Sequence, residues 1–73
     1  MDRKTAQLIG DNIRRHRVTR RMTQEELADK SGLHRLTMIG IESGKRVPGL
    51  SLDNLSNIAR ALGTTIVKLL AVE

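Results

Sequence analysis

Two short helical segments joined by the three residues Ser31-Gly32-Leu33 stand near the middle of this 73-residue chain. The first segment opens with Thr23-Gln-Glu-Glu26, a capping box that satisfies free backbone N–H groups at a helix start. The second runs from about His34 to Glu42 and stops at Ser43-Gly44. Two helices around so short a turn indicate a helix-turn-helix, although many helical hairpins share the pattern.

Helical periodicity continues on both sides of this pair, whereas alternating strand patterns are weak. The apolar residues that repeat at helical spacing are Ala6, Ile9 and Ile13 before the pair, and Leu55, Ile58, Ala59, Leu62, Ile66, Leu69 and Leu70 after it. Ser51 is suited to cap a fourth helix, and Thr64 or Thr65 a fifth. Because no linker, repeat or low-complexity tract divides the chain, the sequence predicts an all-α fold, a compact five-helix domain over residues 1–73.

The charge of the chain indicates its partner. Thirteen Lys and Arg against eight Asp and Glu give a net charge of +5, and the isoelectric point is near 10.8. Such a value is typical of nucleic-acid binders, although a solvated basic face would produce it too. The basic residues concentrate in the first 21 positions, as Arg3, Lys4, Arg14, Arg15, Arg17, Arg20 and Arg21. The chain has no Phe, Tyr or Trp, which argues against modules that stack bases on aromatic rings and favours duplex DNA.

Several classes of protein are disfavoured by what the sequence lacks. Without cysteine it has neither disulfides nor thiolate metal sites, and the spacing of His16 and His34 does not suggest a metal or any cofactor. No catalytic constellation or phosphate loop is present, so we expect no enzyme activity. No apolar stretch is long enough to span a bilayer and no signal peptide is recognisable. We therefore expect a soluble cytoplasmic protein of bacterial or phage origin, associated with the nucleoid when bound to DNA.

Four strings of residues carry a resemblance to a known family. They are Met22-Thr-Gln-Glu-Glu-Leu-Ala28, Ser31-Gly-Leu33, Ile41-Glu-Ser-Gly-Lys45 and Ile58-Ala-Arg-Ala-Leu-Gly63. Together they resemble the lambdoid phage repressor and Cro type of DNA-binding domain (the xenobiotic-response-element type). The resemblance implies a lambda-repressor-like fold of five helices, with the third in the major groove and a homodimer on a palindromic operator.

A second resemblance is to a subgroup of the same superfamily. Gly32-Leu-His-Arg35 is similar to restriction–modification controller proteins, which are small stand-alone members. The segment between Gly44 and Leu55 looks slightly longer than in controllers, which favours a phage-type repressor. A controller or an autoregulating antitoxin is the alternative, and RNA polymerase is a possible partner. A protein-interaction module that has lost DNA binding is disfavoured by the basic residues around the third helix.

Candidate base-reading residues lie on the third helix, opposite its apolar pair Met38 and Ile41. They are Arg35, Leu36, Ile39 and Gly40. Arg35 is suited to a bidentate contact with guanine, with a phosphate contact as the alternative. Leu36 and Ile39 could pack on thymine methyl groups or could simply be exposed. The glycine at position 40 would avoid a clash with the groove, or would reflect close helix packing or tolerance.

Candidate phosphate contacts surround this helix. They are Thr23, Gln24, His34, Thr37, Ser43, Lys45 and Arg46. The resemblance implies that Gln24 is a backbone-contacting glutamine, and the N-terminus of its helix offers free amide groups. His34 could instead be the N-cap of the third helix, and Lys45 and Arg46 could be solvated loop charges.

Three charged side chains fall on faces that should be buried. The resemblance implies that Arg17 and Glu42 form a partly buried ion pair between the first and third helices. Arg20 falls on the face of Ile9 and Ile13. Either its alkyl stem extends from the core to solvent, or the first helix ends before it.

A surplus of apolar residues near the C-terminus is the basis for a predicted dimer interface. These candidates are Leu50, Leu52, Ile66, Val67, Leu70 and Val72. An isologous interface would join the fifth helix and the loop before the fourth across a two-fold axis. Scattered surface exposure is the alternative.

Overall fold

The computed structural model describes residues 2–45 and 50–71, and within those ranges it contains helices and no strands. The helices are α1 (Arg3–Thr19), α2 (Gln24–Ser31), α3 (Arg35–Ser43), α4 (Leu52–Leu62) and α5 (Ile66–Leu70). The predicted all-α fold with five helices is confirmed. In the described part of the chain no helix is long and apolar enough to cross a membrane.

Most helix starts are set by a side chain that accepts a hydrogen bond from the first turn. Asp2, Thr23, Ser51 and Thr65 each do so, and Thr23 with Glu26 forms the predicted capping box. Such caps satisfy backbone N–H groups that have no partner inside the helix. The fifth helix is therefore capped by Thr65, the second of the two threonines considered.

The ends of α2, α3 and α4 share one local motif. Gly32, Gly44 and Gly63 each adopt left-handed backbone angles directly after a helix. At the end of α2, for example, the N–H of Leu33 returns to the carbonyl of Ala28 at 2.8 Å. This pair of features is the Schellman motif, which satisfies the last carbonyl groups of a helix and turns the chain. The turn of the helix-turn-helix is therefore specified locally.

Helix α1 ends in the same motif with an arginine in the glycine position. Arg21 has φ 56°, and the N–H of Met22 bonds to the carbonyl of Arg17 at 3.1 Å. Arg20 is an exposed residue that follows the last helical residue, and its guanidinium donates to the carbonyl of His16 at 3.0 Å. Of the two explanations for Arg20, the structure supports the earlier helix end.

One continuous core joins all five helices. Helix α1 packs against α3 and α5, and α2 packs against α3 and α4. The core residues that are almost fully buried are Ala6, Ile9, Ile13, Leu27, Ala28, Met38, Ile41, Leu50, Leu55, Ile58, Ala59, Leu62 and Leu69. The apolar repeats predicted from helical spacing account for most of them.

Leu50 corrects one prediction. It was expected on an exposed dimer surface, but only 8% of its area is exposed and it packs in the core of its own protomer. Leu50 therefore has little surface to offer a second subunit. The expected exposure of Leu50 is wrong, and the rest of the dimer interface stays a prediction.

The short helix α5 is held in place by a buried polar side chain. Asn12 on α1 is 2% exposed, and its Nδ2 donates to the carbonyls of Leu69 at 2.8 Å and Ala71 at 2.9 Å. These carbonyls belong to the last turn of α5 and to the residue that follows it, where no helical partner is available. Asn12 therefore fixes the orientation of α5 against α1.

Candidate nucleic-acid interface

The start of α3 presents the side chains that were predicted to read bases. Arg35 is exposed and Leu36 is 72% exposed. Ile39 and Gly40, one turn further along, are half-buried, as is Thr37. Met38 and Ile41 are fully buried. Helix α3 thus has one face in the core and one face toward solvent, with its most exposed residues at the N-terminal end.

Helix α3 lies unusually close to α1. An ideal Cβ at Gly10 would stand 2.4 Å from the carbonyl oxygen of Ile41 and 2.8 Å from that of Glu42. No side chain fits in that space, so glycine is required for this approach of the two helices. The contact determines how far α3 stands from the rest of the domain.

An ion pair joins the same two helices. Nε of Arg17 lies 2.7 Å from Oε2 of Glu42, and Nη2 lies 3.1 Å from Oε1. The side chains are 13% and 2% exposed, respectively. Arg17 also donates from Nη1 to the carbonyl of Met22, and Nε2 of Gln24 donates to Oε1 of Glu42. The expected pair is thus present, within a network that links α1, α2 and α3.

The predicted phosphate contacts are distributed around α3. Thr23, His34 and Lys45 are exposed, whereas Gln24, Thr37 and Ser43 are half-buried. Arg46 lies outside the described residues. His34 is in the N-cap position of α3, but its side chain makes no capping hydrogen bond. The hydroxyl of Ser43 donates to the carbonyl of Gly40 at 2.9 Å.

The N-terminus of α2 is favourable to an anion. The capping box occupies the N–H groups of Thr23 and Glu26. It also lowers the pKa of Glu26, chiefly because the backbone N–H of Thr23 donates to the carboxylate. The amides of Gln24 and Glu25 have no partner among the described residues. Free amides in a first helical turn attract phosphate groups, although the Glu25 carboxylate opposes this attraction.

The remaining predicted dimer residues differ in exposure. Leu52, Val67 and Leu70 are 72%, 77% and 43% exposed, whereas Ile66 is half-buried against the core. Val72 lies outside the described residues. Helices α4 and α5 therefore carry exposed apolar side chains, and the buried Leu50 is not among them.

Comparison with known proteins decides the family. The HTH_3 helix-turn-helix family matches residues 13–69. This chain belongs to that family. It is therefore a helix-turn-helix DNA-binding transcriptional regulator, of the Cro/C1 type expected from the sequence. Members of the family are transcription regulators and not enzymes.

Similar proteins within the family include restriction–modification controllers. Control protein C.SmaI of Serratia marcescens is 36% identical over 64 residues, which cover 88% of this chain and 74% of that protein. Control protein C.BamHI of Bacillus amyloliquefaciens is 42% identical over 57 residues, 77% of this chain and 68% of that protein. The crystal structure of the controller C.AhdI from Aeromonas hydrophila matches with a TM-score of 0.83 at 34% identity, over 88% of this chain and 94% of that one.

These similarities give no support to the preference for a phage-type repressor. That preference depended on the length of the segment between Gly44 and Leu55. Residues 46–49 of this segment lie outside the described residues. The similarity to the controllers covers most of the chain, so it is stronger evidence than the length of one segment.

Sequence reasoning missed two residues that position the site. Gly10 lies within α1, and nothing in its neighbourhood signals that α3 passes close to it. Asn12 does carry a signal, because a polar residue interrupts the apolar repeat between Ile9 and Ile13. A polar residue on such a face is usually buried with a hydrogen-bond partner.

Proposed function

We propose that this protein is a controller-type regulator of a restriction–modification operon that binds a two-fold symmetric operator as a homodimer. The observation that carries the proposal is the exposed Arg35 and Leu36 at the N-terminal end of α3. Recognition helices of this motif read base edges with their N-terminal residues. The similarity to controllers supports the regulatory context.

Base reading is assigned to the exposed end of α3. The Arg35 guanidinium can donate two parallel hydrogen bonds to O6 and N7 of a guanine, which contributes about 1–3 kcal/mol of discrimination. Leu36 is apolar and exposed, so it is suited to contact a thymine methyl group. Ile39 and Gly40 would follow one turn deeper along the groove.

Phosphate contacts hold the helix in register. The free amides at the start of α2, together with Gln24, face one strand in this proposal. Thr23, His34, Thr37, Ser43 and Lys45 contribute further donors, and Arg46 is a candidate outside the described residues. The second donor hydrogen of the Gln24 amide remains available while the first bonds to Glu42.

The homodimer is assigned to the exposed apolar residues Leu52, Val67 and Leu70, with Ile66 at their edge. Burying them against their symmetry mates removes apolar surface from water. A two-fold axis there would set the recognition helices about 34 Å apart, one turn of DNA. Asn12 supports this role, since it fixes the helix that carries most of the surface.

Base reading is tested by substituting Arg35. The operator is first selected from random duplexes with the wild-type protein. Arg35→Ala should then weaken operator binding by about 1–3 kcal/mol and relax the preference at one base pair, while affinity for random duplex changes far less. Arg60→Ala, an exposed arginine on α4, removes the same charge elsewhere. An equal loss on both duplexes would reassign Arg35 to phosphate binding.

The dimer is tested by sedimentation equilibrium. We expect a dimer for the wild type and a monomer for Val67→Asp, because an aspartate would place a charge in the apolar interface. Val18→Asp is the matched control: Val18 is 57% exposed on α1, outside the proposed surface. A wild type that stays monomeric at tens of micromolar would contradict the dimer.

The direction of regulation is tested by transcription in vitro. Repression requires only that the bound dimer overlaps a promoter, whereas activation requires contact with RNA polymerase. Transcription from the selected operator, with the operator placed over or upstream of the promoter, distinguishes the two. Association with the nucleoid would follow from DNA binding and can be followed by fluorescence microscopy of a tagged protein.

A further inference from the structure

The arginines in the second half of α1 and at its C-terminal cap are not equivalent in the folded protein. Arg17 is paired with Glu42, Arg15 donates to Oδ1 of Asn12 at 2.9 Å, and Arg20 donates to the carbonyl of His16. Arg14 is exposed, and within residues 2–45 and 50–71 its side chain has no hydrogen bond or ion pair. One guanidinium of this group is therefore free to bind a partner.

Arg14 also lies beside the recognition helix. Gln7, Gly10 and Arg17 each approach α3 or the residue that follows it. At about 100° per residue, position 14 falls on the same side of the α1 helix as positions 7 and 10. Position 14 is therefore on the flank of α1 nearest to α3, although Arg14 also lines a depression that it shares with Arg15 on the outer side of the helix.

A shallow depression of about 370 Å³ separates Arg14 from the start of α2. It is lined by Arg14, Arg17, Gln24, Ile39, Glu42 and Ser43. Gln24 and Ser43 are candidate phosphate contacts and Ile39 is a candidate base-reading residue. Arg14 thus borders the same surface that the DNA-binding proposal uses, on the side of α1.

The charges around this depression favour an anion. Glu42 is the carboxylate that lines it, and its two oxygens are already occupied by Arg17 and Gln24. The positive charge of Arg14 is not neutralised there by a described residue. Asp11 also lies near Arg14, along the outer side of α1, where its Oδ1 accepts from Gln7 at 3.0 Å. A phosphate that entered the depression would meet a free guanidinium on one side and amide donors on the other.

We propose that Arg14 binds a backbone phosphate of the operator, so that one DNA strand is held between α1 and the N-terminus of α2. The assignment rests on the proposed DNA-binding function and adds α1 to the elements that contact the duplex. A contact with the phosphate backbone carries no sequence information, so the contribution of Arg14 is independent of sequence.

The test compares Arg14→Gln with Arg60→Gln, which removes the same charge from an exposed arginine on α4. Binding to the selected operator and to a random duplex of equal length is measured by fluorescence anisotropy over a range of KCl concentrations. Each phosphate contact contributes about 0.9 to the slope of log K against log salt. Arg14→Gln should lower that slope by about 0.9 on both duplexes, so that its loss of affinity shrinks about eightfold for each tenfold rise in salt.

Each outcome of this experiment has one interpretation. If the slope of log K against log salt is the same for Arg14→Gln and Arg60→Gln, the assignment of Arg14 is overturned. The proposed function is unaffected by that result as long as the wild-type protein binds the operator. A loss confined to the operator also overturns it, because that result would make Arg14 a base-reading residue. A wild type that binds neither duplex contradicts the proposed function itself. Circular dichroism of both variants verifies that they are folded, as their exposed positions predict.

Discussion

Replacement of Gly10 by alanine tests whether the close approach of α1 and α3 depends on the absence of a side chain at position 10. The added Cβ would lie 2.4 Å from the carbonyl oxygen of Ile41, which is 1.0 Å short of the 3.4 Å at which ordinary contact begins. Both nearest atoms belong to the backbone of α3. Because backbone atoms cannot change rotamer, the helices themselves must move apart.

Two opposing effects determine how much the free energy of unfolding changes in Gly10→Ala. Alanine is favoured over glycine inside a helix by about 1 kcal/mol, which alone would stabilise the variant. Forcing an extra carbon into a packed contact costs about 1–3 kcal/mol, and the upper end applies here because the obstruction is backbone. We therefore expect the free energy of unfolding to fall by about 2 kcal/mol, which lowers Tm by roughly 8–16 °C in a domain of this size.

The assay is thermal unfolding followed by circular dichroism, with operator binding measured well below Tm. Lys4→Ala, at an exposed position of the same helix, is the control and should change stability by no more than about 0.5 kcal/mol. Movement of α3 should also weaken operator binding more than binding to random duplex. A Gly10→Ala protein that is as stable as the wild type, or more stable, would refute the reasoning, since helix propensity would then be the larger effect.

Three further substitutions test local features of the fold. Glu42→Ala should lower the free energy of unfolding by about 3 kcal/mol, because it leaves the mostly buried Arg17 without its partner. The double variant Arg17→Met with Glu42→Leu should recover much of that loss. Denaturant unfolding in which the losses from the two positions are additive would contradict this expectation. Arg21→Gly should raise Tm by a few degrees, because glycine adopts left-handed angles without the cost of about 1–2 kcal/mol that other residues incur, whereas Arg21→Gln, which removes the same charge, should not. The pKa of Glu26 is below its ordinary 4.5 in the folded protein, so its stabilising effect is complete above that value and is lost as pH falls through the lowered pKa. The Tm difference between wild type and Glu26→Gln should therefore shrink as pH falls from 6 to about 3, and a difference independent of pH would contradict it.

The assignment of helices was the part of the fold that sequence reasoning predicted well. Thr23 with Glu26, and the left-handed residues after α2, α3 and α4, act through hydrogen bonds to neighbours a few positions away. Such signals are contained in a short window of sequence and do not depend on the rest of the fold. The periodic apolar residues then determine which face of each helix is buried.

The candidate site was predicted in part. The exposure of Arg35 and Leu36 follows from the position of Met38 and Ile41 on the opposite face of one helix. Leu50 was misassigned because a single apolar residue in a loop can be exposed or buried, and helical spacing does not distinguish the two. The ion pair of Arg17 with Glu42 was expected only through the family resemblance.

The sequence by itself determined the central helix-turn-helix, since the capping box and the turn between α2 and α3 are local structures. It also determined the excess of positive charge, which favours DNA as the partner. The tertiary structure alone decided that Arg14 is left free while Arg17 is paired, and how close α1 comes to the recognition helix. The physical reason is distance along the chain: Arg17 and Glu42 are 25 positions apart and Asn12 and Ala71 are 59. Contacts over such separations form only when the helices pack, so no local pattern encodes them.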